Sequence, residues 1–256
     1  MISLQTKDWQ IDNIDTVLFD KDGTFIDLHY FWGKMTEMRA DAVIKKFGLS
    51  SSIFEQICLF LGYNLNVQKM LSDGITALYS RSRIIEIFRE NLKDFGINPT
   101  TKEIEDIFDS VSNEFYKNIT KYTKPIEEAI SFIKELHQKG VKLGIVTSDS
   151  IVSTELTLKH FGWENYFEVV IGRESSEFTK ESGEPTKIAL QALKANPETT
   201  LMIGDAPMDY ISAKNAGVNK TILVATGQIE KEELRKTNCY VVNNMSEIKI
   251  TEYLFV

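Results

Sequence analysis

The fold of this chain is decided by the stretch Thr16-Val-Leu-Phe-Asp20-Lys-Asp22-Gly23-Thr24. Its apolar run at 17–19 is typical of a strand that is buried on both faces of a sheet. Ligands of open α/β sheets bind outside the carboxyl ends of the strands, so Asp20 and Asp22 are expected at the mouth of that crevice. Two carboxylates this close repel each other unless a cation neutralises them or one holds a proton. The pair indicates a divalent cation, with Mg²⁺ the first candidate because it prefers oxygen ligands. A hydrophilic turn is the alternative for this stretch taken alone.

The whole chain has an ordinary globular composition and enough length for one large domain or two smaller ones. Its 256 residues are 43% hydrophobic and 26% charged, with a net charge of −8. An acidic chain is a poor candidate for binding nucleic acid or an anionic membrane. The N-terminal residues lack the basic start and apolar core of a signal peptide. Cys58 and Cys239 form no Cys-x-x-Cys pair, so we predict reduced thiols in a cytoplasmic protein.

The pattern of helices and strands changes twice along the chain. Residues 1–15 read as a polar lead-in with room for a short edge strand, and residues 28–124 show helical spacing without a convincing strand. Thr100 and Glu103 match a capping box inside that helical stretch. From Pro125, which is expected to begin a helix, strands alternate with helices. The strands are predicted at 141–147, 169–171, 200–205 and 221–224.

This alternation predicts an α/β fold, a Rossmann-like parallel sheet with helices on both faces. The strand at 16–19 belongs to that sheet. The helical stretch is then an insertion between its first and second strands. We therefore expect a core domain of residues 1–27 and 125–256 and a helical cap domain of residues 28–124.

Two further strands of the predicted sheet end in side chains that suit phosphate or metal binding. Thr147-Ser148-Asp149 ends one strand, and hydroxyls at a helix start suit a phosphate, although a plain helix cap is the alternative. Gly204-Asp205-Ala-Pro-Met-Asp209 ends another strand. Its two carboxylates can share a cation, or Asp209 can simply complement a helix dipole. Four aspartates at one sheet edge favour the cation, because without it they would repel strongly.

These motifs, in this order, resemble motifs one, two and four of the haloacid dehalogenase-like (HAD) hydrolase superfamily. The helical insertion resembles the α-helical cap of its phosphoglycolate-phosphatase-like members. The resemblance covers nearly the whole chain. It implies that Asp20 attacks the phosphorus of a phosphomonoester and forms an aspartyl-phosphate. It also implies that Asp22 protonates the leaving oxygen and then activates water.

The resemblance further implies Mg²⁺ as the cofactor and a small phosphomonoester as the substrate. The metal is expected on Asp20, the backbone carbonyl of Asp22, Asp205 and Asp209, the last directly or through water. Thr147 is expected to hydrogen-bond the phosphoryl oxygens, with Ser148 and Gly23 as further phosphate contacts. Electrostatic neutralisation and positioning then supply most of the catalysis.

Motif three is where this sequence departs from the family pattern. The family places a lysine near the start of the next helix, often just before a proline, and here Glu184 precedes Pro185. A cation is still needed beside Asp20 and the phosphoryl group. Lys180, in the loop, and Lys187, in the first turn of the helix, are equal candidates.

Two other functions fit the same residues. A phosphomutase, or another phosphotransferase acting on a sugar phosphate, would differ only in excluding water. A non-catalytic phosphoacceptor or binding protein would use the same sheet and metal without turnover. The sequence predicts a monomer or a homodimer and leaves the substrate open.

Overall fold

The computed structural model describes residues 1–252, and these divide into two compact units. One unit comprises Met1–Asp27 and the chain from Lys124 onward, and the other comprises Leu28–Thr123. Each unit has its own buried apolar cluster, so each has the core that an independent domain needs.

The described residues form strands in both units. In chain order they are β1 (Ile2–Gln5), β2 (Gln10–Ile14), β3 (Thr16–Phe19), β4 (Tyr63–Asn64), β5 (Lys69–Met70), β6 (Lys142–Val146), β7 (Val169–Ile171), β8 (Thr200–Gly204), β9 (Lys220–Val224), β10 (Tyr240–Val242) and β11 (Lys249–Glu252).

The helices connect these strands or make up most of the inserted unit. In chain order they are α1 (Leu28–Phe47), α2 (Phe54–Phe60), α3 (Ile75–Leu78), α4 (Arg81–Asn91), α5 (Thr101–Lys117), α6 (Ile119–Tyr122), α7 (Glu127–Gln138), α8 (Ile151–Phe161), α9 (Glu184–Leu193), α10 (Pro207–Asn215) and α11 (Lys231–Leu234). Among the described residues, no helix has both the length and the apolar character needed to cross a bilayer.

The first unit contains a six-stranded parallel sheet, in the order β10-β9-β8-β3-β6-β7. Its two faces are covered by separate apolar clusters, which confirms the predicted α/β sheet with helices on both sides. The central strand β3 is buried along its whole length, as its continuous apolar run predicts. Its register sets Phe19 beside both Ile145 and Ile203, so the chain leaves three neighbouring strands at one edge.

The inserted unit is largely helical. The capping box predicted from Thr100 and Glu103 is present, and both of its hydrogen bonds form at the start of α5. The prediction that this stretch has no strand is wrong, because β4 and β5 pair as a short antiparallel hairpin. Two residues on each side are too few to show the alternation by which a strand is recognised in sequence.

Two other sequence expectations need correction. Residues 1–15 form two strands of a separate antiparallel sheet, in the order β11-β1-β2. Pro125 does not begin a helix. It pairs with Ile26 in an isolated bridge, and the N–H of Ile126 donates to the carbonyl of Phe25 at 2.9 Å. That bond keeps the chain extended for two residues, so α7 begins at Glu127.

Candidate active site

Asp20 lies at the carboxyl end of β3 and is almost fully buried. Its backbone N–H donates to the carbonyl of Ile203 at 2.9 Å, which continues the parallel ladder into the loop. One carboxylate oxygen, Oδ1, accepts a hydrogen bond from Nζ of Lys180 at 2.7 Å. The other, Oδ2, accepts from the hydroxyl of Thr24 at 3.4 Å. The side chain is therefore held in one orientation by groups from two separate parts of the chain.

Lys180 bridges two of the predicted site carboxylates. It begins a single 3-10 turn, Lys180–Ser182, and its Nζ lies 2.7 Å from Asp20 and 2.5 Å from Oδ1 of Asp209. Burial by itself would lower the pKa of this amine. The charges of Asp20 and Asp209 outweigh that effect and raise the pKa above its ordinary value. Lys180 is thus a permanent cation inside the site.

Lys187, the other lysine candidate, lies on the solvent face of α9. Its side chain is 46% exposed and its Nζ is 3.5 Å from Glu184, one turn earlier on the same helix. Glu184, which occupies the family's usual lysine position, is 44% exposed. Of the two lysines, the structure brings Lys180 to Asp20 and leaves Lys187 at the surface.

Three carboxylates gather at the ends of β3 and β8. Oxygen atoms of Asp20, Asp205 and Asp209 all lie within 4.8 Å of one another. Burial is the main cause that raises the pKa of Asp205 well above its ordinary value, and the charges of Asp20 and Asp209 add to it. Burial likewise raises the pKa of Asp20 to about 6, against the opposing charge of Lys180. Both pKa changes disfavour the ionised carboxylates, and a bound cation would act in the opposite direction.

The donor set of this cluster fits a hard divalent cation. Mg²⁺ takes oxygen ligands and is commonly held by a small number of carboxylates. Asp209 also accepts a hydrogen bond from the N–H of Ala206 at 3.0 Å. Asp209 therefore complements the helix start with Oδ2, as one sequence interpretation predicts, and faces Lys180 with Oδ1. The other interpretation, a cation shared with Asp205, stays a prediction.

Glycines make room for these carboxylates. A Cβ at Gly23 or at Gly227 would overlap the carboxylate of Asp205, and a Cβ at Gly204 would overlap that of Asp209. Gly23 also has a φ of +86°, a conformation that few other residues adopt. The N–H of Gly23 donates to the carbonyl of Ile26 at 2.8 Å, so this predicted phosphate contact already has a partner inside its own loop.

The loop after β9 belongs to the site and was missed by sequence reasoning. The hydroxyl of Thr226 donates to the carbonyl of Gly23 at 2.6 Å, and Gly227 lies against Asp205. A signal for it existed, because Ala225-Thr226-Gly227 directly follows the strand predicted at 221–224. The rule that ligands lie at strand carboxyl ends applies to that strand as much as to the other three.

Thr147 and Ser148 line a cavity of about 290 Å³ together with Lys180. Thr147 is buried and its hydroxyl accepts a hydrogen bond from the N–H of Asp149 at 3.1 Å, which leaves the hydroxyl proton for another acceptor. The alternative that these residues cap α8 is wrong, because Ser150 is the cap and accepts from the N–H of Ser153.

The carboxylate of Asp22 is engaged separately from the three-carboxylate cluster. Its Oδ1 lies 2.7 Å from Nζ of Lys21, the residue between the two aspartates of the motif. Burial is again the main cause that raises the pKa of Asp22, with Lys21 acting against it. Asp22 therefore holds a proton more readily than an exposed aspartate does.

The family model for haloacid dehalogenase-like hydrolases matches residues 17–224 of this chain. That range begins in β3 and ends with β9, so it includes the ends of β3, β6 and β8, which carry Asp20, Thr147 and Asp205. Pyrophosphatase PpaX of Halalkalibacterium halodurans is 28% identical over 236 residues, which cover 92% of this chain and 95% of that protein.

Solved structures share this fold at low sequence identity. A protein from Haemophilus somnus, described as a predicted phosphoglycolate phosphatase, superposes with a TM-score of 0.69 at 15% identity, covering 93% of this chain and 97% of that one. A HAD-superfamily hydrolase of Geobacter sulfurreducens gives a TM-score of 0.65 at 19% identity, covering 92% and 94%.

Proposed function

We propose that this chain, which belongs to the haloacid dehalogenase-like hydrolases, is a Mg²⁺-dependent phosphatase that hydrolyses a small phosphorylated metabolite through an aspartyl-phosphate. One observation carries the proposal. The buried carboxylate of Asp20 faces a fixed cation, Lys180, and belongs to a cluster of three carboxylates that can hold a metal.

Asp20 is the proposed nucleophile. One of its carboxylate oxygens attacks the phosphorus, the bond from phosphorus to the leaving oxygen breaks, and a mixed anhydride forms on the side chain. The contact with Lys180 keeps the other oxygen in place during the attack. Lys180 also offsets the charge that collects on the phosphoryl oxygens.

The metal would be held by Asp20, Asp205 and Asp209, with the backbone carbonyl of Asp22 as a proposed fourth ligand. When bound, Mg²⁺ supplies positive charge that orients the phosphoryl group and neutralises its oxygens. That charge would also oppose the burial and the neighbouring carboxylates that raise the pKa of Asp20 and Asp205.

Asp22 is the proposed general acid and base. Because its pKa is raised, Asp22 holds a proton more readily than an ordinary aspartate does, and in that form it can donate the proton to the leaving oxygen as that bond breaks. The resulting carboxylate then accepts a proton from the water that attacks the aspartyl-phosphate. Phosphate leaves, and Asp20 and Asp22 return to their starting states.

Thr147 and Ser148 are the proposed phosphate ligands, because both line the cavity that contains Lys180. We do not assign Gly23 a direct contact with phosphate; its proposed role is to make room for a metal ligand. Its missing side chain admits the carboxylate of Asp205, and its N–H is already bonded to Ile26. Because Cys58 and Cys239 are both free thiols, we also propose that the protein is located in the reducing cytoplasm.

Inorganic pyrophosphate is the first substrate to test, since the relative from Halalkalibacterium halodurans carries the name pyrophosphatase. The experiment measures phosphate release from pyrophosphate, phosphoglycolate, p-nitrophenyl phosphate and hexose 1-phosphates, each with Mg²⁺ and with EDTA. Mg²⁺-dependent release that disappears in Asp20→Asn supports the proposal. Isomerised hexose phosphate without release indicates a mutase, and metal binding without turnover on any substrate indicates a binding protein.

A further inference from the structure

Lys21 is a buried cation between two carboxylates, one of which belongs to the proposed machinery. Its side chain is fully buried, and its Nζ lies 2.7 Å from Oδ1 of Asp22 and 2.9 Å from Oδ2 of Asp149. Both distances are within ion-pair range, so the buried amine has a carboxylate on either side. A buried charge is costly unless it is paired in this way.

Asp149, the far partner of Lys21, is itself fixed at several points. Its carboxylate accepts hydrogen bonds from the hydroxyl of Ser153 and from the N–H of Ser150, both at 2.7 Å. Its backbone carbonyl accepts from the N–H of Arg173 at 3.0 Å. Burial by itself would raise the pKa of Asp149, but Lys21 and these hydrogen bonds lower it, so the anchor stays ionised.

The backbone of Lys21 is equally constrained. Its carbonyl accepts from the N–H groups of Thr24, Phe25 and Ile26, at 3.1–3.2 Å. The backbone of Lys21 is therefore fixed within the loop after β3, and its Nζ is fixed by Asp149 in the loop after β6. The ion pair links the strand end that carries Asp20 to the strand end that carries Thr147.

We propose that Lys21 is a positioning residue for the acid–base step, and this inference rests on the proposed function. Without a partner, a carboxylate two residues from Asp20 could rotate toward the cation bound by its neighbours. The contact with Lys21 holds Asp22 apart from the three-carboxylate cluster and in one orientation. Asp149 fixes Lys21 in turn, so the position of the proton donor is set from the neighbouring strand.

This role predicts a specific kinetic signature. The quantity kcat/KM reports steps up to departure of the leaving group, and a misplaced acid harms poor leaving groups most. Phenyl phosphate needs protonation of its leaving oxygen more than p-nitrophenyl phosphate does, because the nitro group stabilises the departing anion. The two substrates are otherwise closely matched in shape. The ratio of their kcat/KM values therefore measures how well the acid is placed.

The experiment compares this ratio in the wild type, Lys21→Met, Lys21→Arg and Asp149→Asn, with Asp22→Asn as the reference for a missing acid. General acids contribute about 10²–10⁴-fold, so Lys21→Met should change the ratio by roughly tenfold or more in favour of p-nitrophenyl phosphate. Asp149→Asn should change it in the same direction by less. Lys21→Arg, which can still contact both carboxylates, should restore most of the wild-type ratio.

A purely structural role for Lys21 would lower kcat/KM for both substrates equally. An unchanged ratio in Lys21→Met would overturn the positioning role while leaving the phosphatase in place. If Lys21→Met does not fold, an unchanged ratio in Asp149→Asn, which removes the anchoring charge, would overturn the claim that the neighbouring strand sets the position of the proton donor. If the wild type hydrolyses neither substrate, the proposed function has failed and this inference fails with it.

Discussion

Nζ of Lys180 lies 2.7 Å from Oδ1 of Asp20, although 160 residues separate them in the chain. The same Nζ lies 2.5 Å from Asp209, so one buried amine joins the loop before α9 to the ends of β3 and β8. Lys180 lies four residues before Glu184, which occupies the family's usual lysine position. We propose that Lys180 takes the place of that lysine as the cation beside Asp20.

Lys180→Met should reduce kcat for Mg²⁺-dependent phosphate release by about 10²-fold or more, because charge-stabilising groups in water-excluded sites contribute on this scale. Lys187→Met is the matched control, since it removes the same charge from the surface of α9 and should retain activity close to wild type. Initial rates on p-nitrophenyl phosphate measure both. Comparable losses in the two variants would contradict the assignment of Lys180.

Gly227→Ala should weaken the metal site. The added Cβ would overlap Oδ2 of Asp205, so this proposed ligand must move. We expect the Mg²⁺ concentration for half-maximal activity to rise by roughly tenfold, the effect of losing on the order of 1.4 kcal/mol of binding free energy.

Gly140→Ala is the control for the general effect of replacing a glycine by alanine. Gly140 has a φ of +73° with no atom near the added Cβ, so its substitution costs stability without touching the carboxylates. Its Mg²⁺ dependence should match the wild type. Equal Mg²⁺ dependence in Gly227→Ala would mean that Asp205 does not bind the metal.

The stability of the metal-free protein should fall as pH rises through about 6. Burial and neighbouring carboxylates raise the folded-state pKa of Asp20 to about 6, from 3.8, and that of Asp205 also lies well above 3.8. Between the unfolded and folded pKa values the folded state binds more protons than the unfolded state does. This contribution to stability is therefore present at low pH and is lost as the pH rises through the folded-state pKa.

Asp205→Asn removes one of the repelling charges and keeps the side-chain shape. In EDTA at pH 8 it should melt above the wild type, and the difference should shrink toward pH 5. With Mg²⁺ the wild type should instead melt above Asp205→Asn, because only the wild type retains all of the proposed metal ligands. Thermal melts across this pH range, with and without metal, make the comparison. A variant that melts below the wild type in EDTA at pH 8 would count against the proposed repulsion.

Much of this site is predictable from sequence because its parts follow strand ends. Asp20, Thr147 and Asp205 each come directly after a short apolar run, and parallel strands bring such positions to one edge. The fold could be predicted for the same reason, since alternating strands and helices restrict the topology to a parallel sheet.

The choice between Lys180 and Lys187 was not available from sequence. Lys180 lies in a loop without periodicity, and its contact with Asp20 depends on a single turn that ends at Gly183, where φ is +80°. The second sheet was equally hidden, because its pairing of β1 with β11 joins opposite ends of the chain. Contacts of such long range leave no local pattern for sequence analysis to detect.

The proposed aspartyl-phosphate on Asp20 is best tested by mixing Asp22→Asn rapidly with Mg²⁺ and p-nitrophenyl phosphate. The good leaving group lets Asp20 attack without an acid, while the missing base slows hydrolysis of the aspartyl-phosphate. We expect a burst of nitrophenolate close to one equivalent of enzyme, with a phosphoryl group on the peptide that contains Asp20 after acid quenching. If the wild type turns this substrate over, no burst in the variant, or a phosphoryl group on another residue, would contradict Asp20 as the nucleophile.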